Sequence, residues 1–208
     1  MLAMLRNFLL FVCSFFLASN VSVTAAFAAN IHAGEKAPTI SVTATNGKLF
    51  DLSQQKGKFV ILEWTNHGCP FVRKHYDSGN MQKLQQYANN NDMVWVSVIS
   101  SAKGKQGNVD VAEANQIAKD NNATPSYIIL DEDGSIGRAY GAKTTPHMML
   151  INPKGQLVYN GAVDSINSAE QEDVLLAEKY FFNAMLASKK GEVIDIHENK
   201  PYGCAIKY

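Results

Sequence analysis

The stretch KFVILEWTNHGCPFVRKHY (58–76) sets the architecture of this chain, because it joins a buried strand to a helix through one cysteine. Its apolar run at 59–62 is typical of a core strand. Pro70 then stands at the first helical position, where its fixed φ fits and its missing N–H is not needed. Cys69 is therefore predicted at a helix N-terminus, which favours a thiolate. Because thiolates attack disulfides and peroxides, redox chemistry is the first hypothesis.

Residues 1–28 are predicted to be a secretory signal peptide outside the fold. Arg6 supplies the positive charge, residues 8–18 form a short apolar core, and Ala26-Phe27-Ala28 offers a small-residue cleavage site. The apolar core is too short to cross a membrane comfortably. We therefore expect an exported protein, periplasmic in a Gram-negative bacterium and secreted otherwise, that has no membrane contact after signal cleavage.

The remaining chain has the size and composition of one domain with a full core. The sequence is 46% hydrophobic and 10% aromatic, which argues against disorder. The formal net charge of 0 gives no electrostatic footprint for nucleic acid. We predict a single domain at 29–188 followed by a tail at 189–208.

Apolar runs and turn signals predict an α/β fold. Strands joined by a helix run parallel and hairpin strands run antiparallel, so the order of elements requires a central mixed β-sheet flanked by helices. Cys69 then lies at the carboxyl edge of the sheet, the usual place for a site. The predicted elements are a hairpin at 38–53 around Asn46-Gly47, a strand at 59–65, a helix from Cys69 through Tyr87, a strand at 93–100, a helix at 111–119, a strand at 127–131, a short helix or turn at 136–141, a hairpin of 147–152 and 156–163, and a helix at 169–187.

These residues and this layout resemble the thioredoxin-fold redoxins. They are most similar to the peroxiredoxin-like branch of the alkyl hydroperoxide reductase / thiol-specific antioxidant superfamily. The resemblance implies a thioredoxin-like fold with an N-terminal β-hairpin and an irregular C-terminal tail. It also implies that Cys69 attacks a peroxide or a disulfide, without a cofactor or metal, and draws electrons from an exogenous thiol. The motifs that carry it are NHGCPFVRKHY (66–76), AYGAKTTPHMMLINPKGQLVYNGAVD (139–164) and GCAIKY (203–208).

Thr145-Pro146 looks like the cis-proline loop of the thioredoxin family. In that case Pro146 faces Cys69, and the Thr145 backbone is free to pair with an extended substrate chain. The alternative is an ordinary trans proline at the start of a strand, where proline is tolerated.

The chain also departs from both relatives. Thioredoxins carry a second cysteine three residues after the first, and that position here is Val72. Typical peroxiredoxins place proline and threonine before the reactive cysteine, where this chain has Leu62 and Asn66. The peroxide-orienting arginine of peroxiredoxins is missing from its usual position. The candidates to replace it are Arg73 and Arg138.

Cys204 is the second cysteine of the expected mature chain. As a resolving cysteine it would attack an oxidised Cys69, within the chain or across a homodimer. As a structural residue it would anchor the tail together with Ile206 and Tyr208. A third possibility is an inert disulfide between Cys69 and Cys204, which an oxidising compartment permits.

Three histidines and one acid complete the set of candidates. His67 and His75 flank Cys69 and His147 follows Pro146, so an imidazolium near the thiol would depress the pKa of Cys69 further. Glu63 could relay protons or face solvent. A cysteine and a histidine could also bind copper or zinc. The rival to an enzyme is accordingly a binding module, a metal or thiol carrier that has no turnover.

Overall fold

The computed structural model describes residues 31–208, so the predicted signal peptide lies outside the described residues. The first regular element is a hairpin of β1 (Ser41–Thr43) and β2 (Leu49–Asp51), which pair antiparallel. Gly47 adopts φ +75° in its turn, a left-handed conformation that glycine reaches without a steric penalty. The hairpin predicted around Asn46-Gly47 is confirmed.

Five strands form the central sheet, and the prediction of a mixed sheet is confirmed. They are β3 (Val60–Trp64), β4 (Val94–Ile99), β5 (Tyr127–Leu130), β7 (His147–Ile151) and β8 (Leu157–Gly161). The spatial order is β5-β4-β3-β7-β8. β3, β4 and β5 run parallel, whereas β7 is antiparallel to β3 and to β8. Two further strands, β6 (Thr144–Thr145) and β9 (Cys204–Ala205), form a small separate pair.

Helices flank the sheet. α1 (Pro70–Asp77), α2 (Asn80–Asn90), α3 (Val111–Asp120), α4 (Ser135–Ala139), α5 (Asp173–Leu176) and α6 (Tyr180–Lys190) follow one another along the chain, after a short 3-10 helix at Leu52–Gln55. α3 begins at a capping box, in which the side chains of Asp110 and Glu113 each accept from the other's backbone N–H. None of the helices between residues 31 and 208 is long and apolar enough to cross a membrane.

The alternation of side chains along β3 divides the core into two layers. Val60, Leu62 and Trp64 point into one layer, which the N-terminal hairpin and α4 cover. Ile61 points into the other layer, which α1, α2 and α6 cover. Cys69 belongs to this second layer. The strand β3 is thus buried on both faces, as expected of a core strand.

The helix predicted from Cys69 through Tyr87 is two helices, so this prediction is wrong in its continuity. α1 ends at Asp77, and Gly79 adopts φ +72° before α2 begins. A left-handed glycine interrupts the run of helical backbone angles, and the N–H of Gly79 donates to Tyr76 O instead of continuing the helix.

The helix predicted at 169–187 is also wrong in its bounds. α5 covers only Asp173–Leu176, the backbone is extended at Ala177, and α6 runs from Tyr180 to Lys190. Phe181 is fully buried, and its N–H donates to Val163 O at 3.1 Å. A continuous helix would commit that N–H to Ala177 O. The chain therefore breaks the helix so that Phe181 can dock against the sheet.

The tail at 189–208 has little regular structure, as expected, but it is held along much of its length. The backbone of Asn199 pairs with Asn160, the O of Lys207 accepts from Ala102 N–H, and the Tyr208 hydroxyl donates to Ala142 O. Between these points the strand β9 pairs with β6, directly before Pro146. This course brings the end of the chain to Cys69.

Candidate active site

Cys69 is the N-cap residue of α1, in the position that the sequence predicts. Its backbone is extended (φ −86°, ψ 122°), and Pro70 occupies the first helical turn. The Cys69 carbonyl accepts from the N–H groups of Val72 and Arg73, both at 3.0 Å. The side chain therefore stands at the helix N-terminus, where the N–H groups of the first turn are not bonded within the helix. Cys69 itself is fully buried in this state.

The Thr145–Pro146 peptide bond is cis, as the resemblance implies. The structure brings this loop to the cysteine, since Cys69 Sγ donates to Thr145 O at 3.1 Å. The Thr145 hydroxyl is buried as well, and its oxygen has no hydrogen-bond partner among the described residues. The backbone of the cis-proline loop thus contacts the Cys69 sulfur, and the Thr145 hydroxyl remains without a hydrogen bond within the described chain.

Cys204 reaches the same point from the end of the chain. In the pairing of β6 with β9, Thr145 lies opposite Cys204 and Thr144 opposite Ala205. Gly203 passes so close to the loop that a Cβ there would stand 2.1 Å from Thr145 O. Both cysteines are free thiols in this structure. The backbone that was predicted to receive an extended substrate chain is therefore occupied by the protein's own tail.

The two thiols perturb each other's ionisation. Burial acts to raise the pKa of Cys69, but hydrogen bonds from the Cys204 thiol and from the Val72 and Cys204 backbone outweigh it, so the pKa lies below its ordinary value. For Cys204, burial, the hydrogen bond to Cys69 and the Cys69 charge together raise the pKa to about 12. When the pair loses its first proton, the charge therefore falls on Cys69 and the proton stays on Cys204.

The histidines do not provide the imidazolium that the sequence allowed. Burial lowers the pKa of His75 to about 4, despite the charge of Asp164. Burial likewise lowers the pKa of His147 to about 4, and its Nε2 lies 2.7 Å from Asn160 Oδ1. His67 is exposed in the turn before Cys69. The lowered pKa of Cys69 is therefore the work of Cys204 and the helix N-terminus.

Glu63 does not face solvent, so that alternative is wrong. Its carboxyl is fully buried and accepts from the Tyr76 hydroxyl at 2.8 Å, from Trp95 Nε1 at 2.8 Å and from Ser97 Oγ at 2.9 Å. Burial raises its pKa against the effect of these donors. Glu63 thus accepts three hydrogen bonds in the core layer below α1.

Neither candidate arginine contacts the Cys69 sulfur within the described chain. Arg73 Nε lies 3.7 Å from Asp77 Oδ2 on the exposed side of α1. Arg138 stacks on the ring of Tyr208, 4.5 Å from its centroid. Within residues 31–208, no group of three His, Cys, Asp or Glu side chains could hold a metal ion.

Sequence reasoning missed a buried polar cluster beside the cysteines. Lys74 follows Cys69 on α1, its side chain is fully buried, and its Nζ lies 3.4 Å from Asp164 Oδ2. Tyr202, two residues before Cys204, donates its hydroxyl to Asp164 Oδ1. No local signal marks this cluster, because a lysine on an amphipathic helix is ordinarily solvent-exposed.

Comparison with known proteins finds similar chains in the sequence and in the fold. The chain is 29% identical over 129 residues to the thiol-disulfide oxidoreductase ResA of Bacillus subtilis, covering 62% of this chain and 66% of ResA, slightly less than two thirds of that relative. A hypothetical protein of Sinorhizobium meliloti superimposes with a TM-score of 0.70 at 21% identity, covering 86% of this chain and 95% of that one. A Chlorobium tepidum structure assigned as the thiol:disulfide interchange protein DsbE gives 0.56 at 21% identity, covering 76% and 99%.

Fold and site together define a thioredoxin-fold protein whose helix-start cysteine faces a cis-proline loop. The model of the Redoxin family matches residues 32–175, well over half of the chain. The chain belongs to the Redoxin family. The resemblance to redoxins is thereby confirmed, whereas the peroxiredoxin-like branch is not, since ResA and the Chlorobium tepidum protein are named as thiol-disulfide proteins.

Proposed function

We propose that this protein is a thiol-disulfide oxidoreductase in which Cys69 is the nucleophile and Cys204 the resolving cysteine. The proposal rests mainly on the proximity of Cys69, the cis-proline loop and Cys204. Cys69 Sγ lies 3.1 Å from Thr145 O, and Thr145 lies opposite Cys204 in the β6–β9 pairing. Membership of the Redoxin family and the likeness to ResA support the same chemistry.

The first step is attack of the Cys69 thiolate on one sulfur of a substrate disulfide. A bond forms between Cys69 and that sulfur while the substrate S–S bond breaks, and the second substrate sulfur leaves as a thiolate and takes up a proton. In the second step the Cys204 thiolate attacks Cys69 Sγ, which forms a Cys69–Cys204 disulfide and releases the remaining substrate thiolate. The substrate gains two electrons and the cysteine pair loses two.

Return to the reduced state requires two electrons from an exogenous thiol reductant. Such a thiol attacks the Cys69–Cys204 disulfide, and the same exchange runs in reverse with a second thiol equivalent. The pair is therefore a carrier of two electrons between a thiol and a disulfide, whichever of the two is the physiological substrate.

The perturbed pKa values suit this order of events. Next to a Cys69 thiolate, the Cys204 pKa is raised partly by the hydrogen bond to Cys69 and by its charge. Both causes vanish once Cys69 is bonded to substrate sulfur, since a disulfide carries no charge. Cys204 thus ionises more readily at the stage in which it must attack.

Peroxide reduction, the other chemistry implied by the sequence resemblance, lacks support of this kind. Peroxiredoxins orient the peroxide with an arginine, whereas Arg73 and Arg138 are engaged elsewhere in the described chain. ResA and the Chlorobium tepidum protein are likewise named as thiol-disulfide proteins. We therefore assign disulfide exchange as the function of the site.

We further propose that the protein is exported. The support is the sequence of residues 1–28, with Arg6, an apolar core and Ala26-Phe27-Ala28. Export would bring the cysteine pair to a compartment in which protein disulfides form and persist.

A single-turnover reaction with oxidised glutathione tests the activity. Mass spectrometry of the reduced protein should detect a glutathione adduct at Cys69, followed by a Cys69–Cys204 disulfide and two released glutathione thiols. Cys69→Ser should not react, and Cys204→Ser should stop at the adduct.

Two other outcomes contradict the proposal. A wild-type protein that leaves oxidised glutathione intact is a binding module. A protein that consumes hydrogen peroxide at a rate far above its rate with disulfides is a peroxidase.

A further inference from the structure

We propose that Tyr202 is a positioning residue that holds Cys204 opposite Cys69 through its hydrogen bond to Asp164. The inference rests on the proposed function, because it assigns a residue to the resolving step. It concerns the tail immediately before β9, which sequence reasoning treated as irregular.

The Tyr202 side chain is buried between the tail and α1. Its hydroxyl donates to Asp164 Oδ1 and lies 3.3 Å from His75 Nε2. Its ring packs edge-on against Phe71 with centroids 5.9 Å apart, and Lys74 Nζ lies 5.5 Å from the ring centroid. Phe71, Lys74 and His75 all belong to α1, the helix that begins at Cys69. One helix therefore carries the nucleophile and also seats the tail that carries its partner.

The surroundings of Asp164 stabilise its hydrogen bond with Tyr202. The carboxyl is buried, and Oδ1 accepts from Ile166 N–H as well as from Tyr202, while Oδ2 faces Lys74 Nζ at 3.4 Å and His75 Nε2 at 3.9 Å. Lys74 Nζ in turn donates to Ile166 O at 2.9 Å. Without the Tyr202 hydroxyl, the buried Asp164 carboxylate would lose a hydrogen-bond donor that water does not replace. Such a loss is unfavourable for a buried charge.

The position of Cys204 follows from this contact. One residue separates Tyr202 from Cys204, and this residue, Gly203, turns with φ +123° over Thr145 O. Downstream of Cys204, the Ile206 N–H donates to Lys143 O at 3.1 Å. Cys204 is thus held on both sides, by a side chain before it and by backbone after it. Ordering of this kind raises the effective concentration of Cys204 at Cys69.

The experiment measures that effective concentration in redox buffers of reduced and oxidised glutathione. At equilibrium, the ratio of the Cys69–Cys204 disulfide to the Cys69–glutathione adduct, multiplied by the reduced glutathione concentration, gives the effective concentration. Tyr202→Phe keeps the ring and removes the hydroxyl. We expect a fall of about tenfold, the factor that loss of one hydrogen bond to a charged group produces.

Tyr140→Phe is the matched control, because Tyr140 is a buried tyrosine whose hydroxyl donates to Pro38 O, a hydrogen bond in which no tail residue takes part. A general loss of stability would affect both variants alike, whereas positioning predicts a change in Tyr202→Phe alone. An unchanged ratio in Tyr202→Phe, or equal falls in both variants, overturns the inference. The proposed function fails separately, if the wild-type protein forms no Cys69–Cys204 disulfide at all.

Phe71→Leu gives a second test that leaves the buried charges in place. Loss of the ring contact loosens Tyr202 and should lower the effective concentration by a smaller factor than Tyr202→Phe. If Tyr202→Phe does not fold, Phe71→Leu decides alone. A fall then supports the inference and an unchanged ratio overturns it.

Discussion

Cys204 lies directly opposite Thr145 in the antiparallel pairing of β6 and β9, while the Thr145 carbonyl oxygen lies 3.1 Å from Cys69 Sγ. The tail consequently lies in the place that an extended substrate chain would take on this loop. Under the proposed function, a macromolecular substrate would have to displace the tail before its own backbone could pair with Thr145. The tail is therefore both the proposed partner of Cys69 and the competitor of its substrate.

Gly203→Ala should release the tail from the loop. An added Cβ would stand 2.1 Å from Thr145 O, and the left-handed φ of +123° disfavours any other residue. We expect faster alkylation of Cys69 by iodoacetamide and slower formation of the Cys69–Cys204 disulfide. Gly191→Ala is the control, because Gly191 also has a positive φ but nothing lies within 4 Å of its added Cβ. Equal alkylation rates in the two variants would argue against a covering role of the tail.

The alkylation rate of Cys69 should rise with pH through a midpoint below about 8.5, the value of a free thiol. The hydrogen bond from Cys204 is the largest of the effects that lower this pKa. Cys204→Ala should therefore move the midpoint upward, and Cys204→Ser, which retains a hydroxyl donor, should move it less. Peptide mapping assigns the alkylated residue. A midpoint that does not respond to either substitution contradicts the coupling of the two thiols.

Thr145→Val should increase the free energy of unfolding by about 1 kcal/mol, because it removes a buried hydroxyl that has no partner among the described residues. Thr144→Val is the matched comparison, since the Thr144 hydroxyl donates to Pro146 O at 3.2 Å. We expect that variant to be destabilised. Urea unfolding of the reduced proteins measures both changes.

Stability should fall as the pH drops from about 6.5 to 4. The pKa values of His75 and His147 are lowered to about 4 in the folded protein. Between pH 6.5 and 4, the unfolded chain therefore binds protons at these histidines and the folded chain does not. Their contribution is complete above pH 6.5 and is lost towards pH 4, about 3 kcal/mol for each histidine. Urea unfolding across this range should show a shallower slope for His147→Gln. His67→Gln, at an exposed histidine outside both buried sites, is the comparison variant.

The fold and the position of Cys69 at a helix start could be predicted because their signals are local. An apolar run followed by Cys69-Pro70 specifies a strand, a turn and a helix start within a few residues, and Asn46-Gly47 specifies its hairpin turn. The break at Ala177 was not predictable in this way. The composition of 169–187 favours one amphipathic helix, and only the docking of Phe181 on Val163 makes two helices more favourable.

The remainder of the site depends on contacts between distant parts of the chain. Chain length allowed Cys204 to reach Cys69, but the pairing with Thr145 depends on the path of the whole tail. The burial of Lys74 is a tertiary effect too, since it requires Asp164, which follows the edge strand β8, and Tyr202 from the tail to lie beside α1. Periodicity along α1 contains no information about either partner.

The separation of the two cysteines along the chain has a thermodynamic consequence. A bond between residues 69 and 204 would close a loop around four of the five central strands. Cross-linking a loop of more than 100 residues restricts the denatured ensemble by roughly 5 kcal/mol in the chain-entropy account. Every turnover would then convert the chain between a cross-linked oxidised form and an open reduced form. The oxidised form should resist heat and proteases better than the reduced form.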